Sequence, residues 1–177
     1  MTISYPAVLG PLTDHEWLLG NGSSVPVPSA KPRLLAWTGP APNETYNGKP
    51  VLDSGGKPAF AELLILDAFV AAGWEGAWVD TYRNRFLIGF WPVPQQVTVP
   101  SEKKALLAEI RRAGGSKARP WDVFCWRGET VMFVEAKRQQ RDKIRPSQTD
   151  FLAGALTLGL STRSFLLVEW GLASANV

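Results

Sequence analysis

The sequence predicts an α/β fold with a mixed central sheet flanked by helices. Its predicted elements follow in the order helix, strands, helix, hairpin, helix, strand. The first helix is an apolar segment without Gly or Pro, and the last strand is an apolar run. A chain of 177 residues, 45% hydrophobic and 20% charged, is typical of one soluble globular domain with a single sizeable core.

Residues 1–58 differ in composition from the rest of the chain. Nine of the fourteen prolines lie at or before Pro58, with glycines between them and few apolar periodic runs. We expect an irregular arm, or a few short strands wrapped on the core, with turns at Asn47-Gly48 and Gly55-Gly56. The segment is also a candidate for docking a partner.

The first two helices are predicted by their ends and composition. AFAELLILDAFVAAG, residues 59–73, begins after Pro58 and stops at Gly73, as a helix does at its C′ residue. It is apolar almost all round, which favours burial against a sheet. SEKKALLAEIRRAGG, residues 101–115, has Glu in its first turn, Arg in its last and Gly at its end, which matches the helix dipole.

The remaining predicted elements are strands and a third helix. Residues 76–82 and 85–91 read as extended stretches joined by a turn at Arg83-Asn84. A capping box, Ser147-x-x-Asp150, predicts the start of a third helix that ends near Gly159. Residues 164–170, SFLLVEW, predict a buried last strand.

A β-hairpin is predicted within PWDVFCWRGETVMFVEAK, residues 120–137. Gly128-Glu129 suits the two-residue loop of a type II′ turn, because Gly takes a positive φ without steric cost. Counting outward from that loop places Asp122 opposite Glu135. Directly opposed residues have Cβ atoms only about 4.5–5.5 Å apart, and like charges there are destabilising. Two carboxylates so close therefore require a cation between them.

Lys137 joins these two acids on one face of the hairpin, because strand side chains alternate faces and Lys137 lies two residues after Glu135. Two carboxylates with a strand carbonyl nearby, such as that of Ala136, suit Mg²⁺. Such an ion polarises a phosphoryl oxygen and lowers the pKa of bound water. The alternative is a strand-end salt bridge between Glu135 and Lys137, with Asp122 as a turn or edge acid.

These residues resemble a known family. Asp122, twelve further residues and then Glu135-Ala136-Lys137 are similar to the core motif of PD-(D/E)XK nucleases. The continuation through residue 170, with a basic loop, Gln148 opening a helix and a last strand, resembles the VRR-NUC branch in particular. One departure is that Trp121 is inserted inside the Pro-Asp pair.

The resemblance implies a restriction-endonuclease-like αβββαβ core in residues 59–177, with no counterpart for the Pro/Gly-rich arm of residues 1–58. It implies that Asp122 and Glu135 bind Mg²⁺ (or Mn²⁺), that Lys137 assists the attacking water and that Gln148 supports the site.

In members of the family, an acidic residue from the first helix often joins the site. Glu62 is the matching residue in this sequence, and it is therefore a candidate metal ligand and catalytic residue. Asp67 and Glu75 are alternatives for that role, and a buried or helix-end salt bridge is another explanation for Glu62.

A basic segment follows the motif. Residues 101–149 hold 12 Lys/Arg against 6 Asp/Glu, and KRQQRDKIR (137–145) leads into the third helix. Arg138, Arg141, Lys143 and Arg145 are predicted to contact nucleic-acid phosphates without reading sequence. The alternative is a mobile charged loop.

Several chemistries are disfavoured by composition. Cys125 and His15 are each the single residue of their type, which excludes intrachain disulfides and His-rich metal sites and makes Cys/His catalysis improbable. Cys125 is expected to be a small core residue. No apolar run approaches the roughly 18 residues of a membrane span, and the N-terminus lacks the pattern of a signal peptide. We therefore expect a cytoplasmic protein.

The sequence predicts a Mg²⁺-dependent endonuclease that hydrolyses DNA by direct attack of water. A second hypothesis keeps the fold without the chemistry, as a nucleic-acid-binding module or a subunit of a larger phage or defence assembly. A homodimer or a larger protein assembly is compatible with either. A hydrolase acting on another substrate is disfavoured by the basic loop.

Overall fold

The framework of the protein is a mixed β-sheet with helices on both faces. The computed structural model describes residues 3–43, 45, 48–89 and 94–173. Its helices are α1 (Ala61–Ala71), α2 (Ser101–Gly114) and α3 (Pro146–Thr157). Its strands are β1 (Leu12–Leu18), β2 (Ser24–Ala30), β3 (Arg33–Leu34), β4 (Leu52–Asp53), β5 (Pro58–Ala59), β6 (Glu75–Asp80), β7 (Arg85–Ile88), β8 (Gln95–Gln96), β9 (Val123–Arg127), β10 (Thr130–Arg138) and β11 (Phe165–Leu172).

The sheet combines antiparallel and parallel pairs. Its strand order is β1-β2-β11-β10-β9-β6-β7-β8, with β3 added beside β11. The β9–β10 and β6–β9 pairs are antiparallel, whereas β10–β11 and β11–β2 are parallel. The crossover from β10 to β11 is α3. The predicted α/β class with a mixed sheet is therefore confirmed.

Alternating side chains of the central strands divide the core between the two faces of the sheet. Phe124, Phe133 and Phe165 pack on the face covered by α3, with Phe151 of α3 edge-on to Phe133. Cys125, Met132 and Val134 pack on the opposite face against α1. Cys125 is fully buried, as predicted. Among the described residues, no helix combines the length and apolar character that crossing a bilayer requires.

The first helix ends as its sequence predicts. Gly73 follows it with φ of 82°, and its amide donates to the carbonyl of Val70 while the amide of Trp74 donates to Phe69. This pair of bonds is the Schellman motif, which requires a left-handed residue at C′. Five residues of α1 are buried against the sheet: Ala61, Leu63, Ile65, Leu66 and Phe69.

The predicted strands and second helix are also present, with shifted ends. Residues 76–82 and 85–91 correspond to β6 and β7, which pair antiparallel around a turn that includes Asn84 at φ of 51°. Residues 90 and 91 lie outside the described part of the chain. The second helix runs from Ser101 to Gly114, and Gly115 follows it at φ of 89°.

The N-terminal region contributes to the central sheet. Of the two expectations for residues 1–58, strands are present, but β1 and β2 are seven residues long and extend the sheet beside β11. The turn at Gly55-Gly56 is confirmed, with φ of 61° and 86° between β4 and β5. The predicted turn at Asn47-Gly48 lies partly outside the described residues.

Helices α2 and α3 approach each other closely at a pair of glycines. A Cβ added to Gly154 would overlap the carbonyl oxygen of Ile110 and the backbone of Gly114. A Cβ added to Gly114 would overlap the carbonyl oxygen of Asp150. The two backbones therefore pack without an intervening side chain, which fixes the position of α3 over the sheet.

We expect Gly154→Ala to lower the free energy of unfolding by about 1–3 kcal/mol, because neighbouring backbone cannot move as a flexible side chain does. This loss is expected although Ala has a helix propensity about 1 kcal/mol better than Gly. The matched control is Gly20→Ala, an exposed position where an added Cβ meets nothing within 4 Å. Denaturant unfolding measures both, and equal midpoints would contradict the close approach.

Candidate metal and nucleic-acid site

The hairpin of β9 and β10 has the predicted register. Thr130 pairs with Arg127, and the pairing continues outward to Val134 and Val123. Gly128 has φ of 56°, as the first loop residue of a type II′ turn requires. The observed pairs end one step before Asp122 and Glu135, and the same register continued by that step would place these two residues opposite each other. The Oδ2 atom of Asp122 accepts a hydrogen bond from the Ala136 amide at 3.1 Å.

Glu135 is the buried centre of the site, with 1% of its surface exposed. Its Oε1 atom accepts from the ammonium of Lys137 at 2.7 Å and from the side-chain amide of Gln148. Its Oε2 atom has no hydrogen-bond partner among the described residues. The predicted convergence of Asp122, Glu135 and Lys137 is therefore observed, and the Glu135–Lys137 salt bridge of the alternative hypothesis is part of it.

The two carboxyl groups lack sufficient compensating charge. Burial raises the pKa of Glu135 well above its ordinary value, and the neighbouring Asp122 raises it further, against the opposing effect of Lys137. Burial also raises the pKa of Asp122, with a contribution from Glu62, against Lys49, Lys137 and the Ala136 amide. A divalent cation would supply the charge that these acids lack.

Gln148 links the site to α3. Its side-chain oxygen accepts from the Arg145 amide at 2.8 Å, while its side-chain nitrogen donates to Glu135. The helix begins at Pro146, with Arg145 as the N-cap residue. The predicted capping box at Ser147 and Asp150 is therefore wrong by two residues, because Pro146 suits the first helical position and Gln148 caps the helix.

Glu62 lies in the first turn of α1 and lines the same cleft, where it forms an ion pair with Lys49. Its alternatives lie elsewhere. Asp67 is on the exposed side of α1, and Glu75 pairs with Trp126, four residues along β9 from Asp122. Among the described residues, no group of three or more His, Cys, Asp or Glu side chains is arranged to hold a metal ion.

Lys49 is a site residue that sequence analysis missed. Burial alone would lower the pKa of Lys49, but the charges of Glu62, Asp122 and Glu135 raise it above its ordinary value. The ammonium therefore supplies positive charge to the acidic cluster from the Pro/Gly-rich region. No sequence signal distinguishes this lysine, because the contact depends on the tertiary fold.

The acids line a cleft of about 1170 Å³ whose walls carry many cations. Three predicted phosphate contacts, Arg141, Lys143 and Arg145, line it. Arg138 does not line it, and its guanidinium lies over the ring of Trp170 at 5.7 Å. The loop itself is tied down by Asp142, which accepts from the Arg138 amide at 2.8 Å.

The inserted Trp121 has a structural explanation. Its indole is fully buried, stacks on Trp17 at 4.8 Å and donates to the Gln148 carbonyl at 3.1 Å. It therefore connects the start of β9 with β1 and with α3.

No protein-family model, curated protein or solved structure matches this chain. The resemblance to PD-(D/E)XK nucleases therefore depends on the motif, and membership of that family stays a prediction.

The raised carboxyl pKa values predict a pH-dependent stability. Because the folded protein holds protons on Asp122 and Glu135 more tightly than the unfolded chain, without divalent ions their contribution to stability falls as pH rises above about 4, the ordinary carboxyl range. Added Mg²⁺ is expected to raise the unfolding temperature, and increasingly so with pH.

Thermal unfolding at several pH values, with and without Mg²⁺, checks this expectation. Glu135→Gln should remove most of the dependence on pH and on Mg²⁺. Glu109→Gln, an exposed acid on α2, should behave as wild type. Identical Mg²⁺ responses in Glu135→Gln and wild type would contradict a cation site at Glu135.

Proposed function

We propose that this protein is a Mg²⁺- or Mn²⁺-dependent nuclease that hydrolyses phosphodiester bonds in DNA by direct attack of water. One observation carries the proposal. A buried glutamate with an unpartnered carboxylate oxygen, Glu135, lies beside Asp122 and Lys137 in a cleft lined by cations. Cationic walls attract a polyanion, and paired carboxylates attract the metal that phosphodiester hydrolysis uses.

The donor set fits Mg²⁺. This ion binds through one or two carboxylates and keeps several waters, so Asp122 and Glu135, with the carbonyl of Ala136, suffice to hold it. Glu62 would join them only by leaving its ion pair with Lys49. When bound, the ion polarises a phosphoryl oxygen and lowers the pKa of a coordinated water.

The chain's own residues then have separable roles. Lys137 lies 2.7 Å from Glu135 with its side chain largely buried, so its ammonium is held at the acids. There it can orient the attacking water and stabilise negative charge that develops on the phosphoryl group. Gln148 holds the Glu135 carboxylate through its amide, and acts as a positioning residue.

The cationic side chains of the cleft suit a nucleic-acid substrate. Arg141, Lys143 and Arg145 are exposed side chains that line it. Their charges suit backbone phosphates on either side of a scissile bond and carry no sequence information.

The fold proposal is a restriction-endonuclease-like core. Helix α1, strands β6, β9 and β10, helix α3 and strand β11 occur in αβββαβ order, with β7, β8 and α2 between β6 and β9. This order supports the proposal, as does the location of the acids, with Asp122 directly before β9 and Glu135 on β10.

Glu135→Ala and Lys137→Ala are each expected to reduce metal-dependent cleavage by about 10²–10³-fold, the effect of losing a group that stabilises the transition state. Purified protein incubated with duplex, branched and single-stranded DNA, with and without Mg²⁺ or Mn²⁺, measures this. Lys104→Ala, an exposed cation on α2, is the matched control and should retain full activity. Undiminished cleavage by Lys137→Ala would contradict the proposed role.

A catalytically silent nucleic-acid-binding or assembly module is the second candidate. It is favoured by the ion pair of Glu62 with Lys49 and by the lack, among the described residues, of three acids arranged to hold a metal ion. Salt-sensitive DNA binding by wild type, with no cleavage under any metal condition, would support this module and overturn the enzyme.

A further inference from the structure

A second pocket, of about 480 Å³, lies beside the cleft. It is formed by the end of α2, the turn between β6 and β7, and residues 115–119. Three arginines line it, Arg111, Arg112 and Arg119, and we call it the arginine pocket. It shares Thr81 and Arg119 with the cleft, so the two are contiguous on the surface.

Two of the three arginines of this pocket are held by neutral groups. Arg111 donates to the side-chain oxygen of Asn84 at 2.9 Å, and Arg119 donates to the carbonyls of Ser116 and Ala118, both at 3.0 Å. Among the described residues, none of the three forms an ion pair with a carboxylate. Three cations thus line one pocket without an anion.

One donor in the pocket is both buried and unused. The Nε atom of Arg111 is inaccessible and has no hydrogen-bond partner among the described residues. Burial and the nearby charge of Arg119 lower the pKa of Arg111. A buried donor without a partner is costly, and an anion in the pocket would relieve the repulsion between Arg111 and Arg119.

The helix dipole explains only part of this arrangement. Arg111 and Arg112 lie in the last turn of α2, where cations are favourable. Arg119 lies beyond the helix, yet it faces the same pocket. The dipole also leaves the unused Nε of Arg111 without an explanation.

We infer that the arginine pocket is a second phosphate-binding site, which holds a backbone phosphate of the same nucleic acid whose scissile phosphate lies in the cleft. This inference rests on the proposed function for its ligand. Guanidinium groups bind phosphate through paired donors, and Arg119 borders both sites. The nucleic acid would therefore extend from the acids past Arg119 to the end of α2, on a path separate from the basic loop.

The test is equilibrium binding of fluorescein-labelled duplex and single-stranded DNA in EDTA, followed by anisotropy over a series of salt concentrations. Arg112→Ala, which removes an exposed side chain, should weaken binding about tenfold, as expected for one charged contact. It should also reduce the slope of log affinity against log salt by about 0.9 for duplex DNA. Arg111→Lys keeps the charge but loses the paired donors, and should weaken binding less.

Lys104→Ala on the same helix is the control and should leave affinity and slope unchanged. Thermal unfolding checks that each variant is folded. Wild-type affinity and slope in both Arg112→Ala and Arg111→Lys would overturn the inference. It would also be overturned if these variants bound DNA normally but lost binding to an acidic or phosphorylated peptide that wild type binds.

Failure of the two proposals is distinguishable. If wild type cleaves DNA but the arginine variants bind normally, the second site is wrong and the nuclease stands. If the arginine variants lose affinity in EDTA but no metal supports cleavage, the second site stands and the nuclease is wrong.

Discussion

The candidate site depends on the burial of one carboxylate, that of Glu135. Removing a carboxylate from water costs several kcal/mol unless charge and hydrogen bonds compensate. Lys137 and Gln148 compensate one of its oxygens, while the other lies without a donor next to Asp122. Burial raises the pKa values of both acids, and neighbouring carboxylates raise them further. A site of this kind favours a small, highly charged cation.

This electrostatic arrangement constrains the rest of the fold. The side-chain amide of Gln148 reaches Glu135 only if α3 lies where it does over the sheet. The close contact between the glycines of α2 and α3 fixes that position. The indole of Trp121 ties the same end of α3 to β9 and stacks on Trp17 of β1. The N-terminal strands therefore support the site, although they are distant from it in sequence.

The features that could be predicted from the sequence depend on local rules such as turn type and strand alternation. The features that could not be predicted depend on tertiary contacts. The Gly128-Glu129 loop fixed the hairpin register, and strand alternation then placed Lys137 beside Glu135. The N-terminal strands were obscured by prolines, which lack an amide donor. In β2, Pro26 and Pro28 lie where β1 alone pairs with the strand, since β11 pairs only at Ser29 and Ala30. Lys49 reaches Glu62 through the fold, so no spacing or periodicity reveals it.

Anomalous diffraction from crystals soaked in Mn²⁺ tests the central claim most directly, because it locates the cation without requiring activity. The account predicts an anomalous peak within coordination distance of both the Asp122 and Glu135 carboxylates, on the face that Lys137 shares. A manganese ion bound at other residues, with Asp122 and Glu135 uncoordinated, would contradict it.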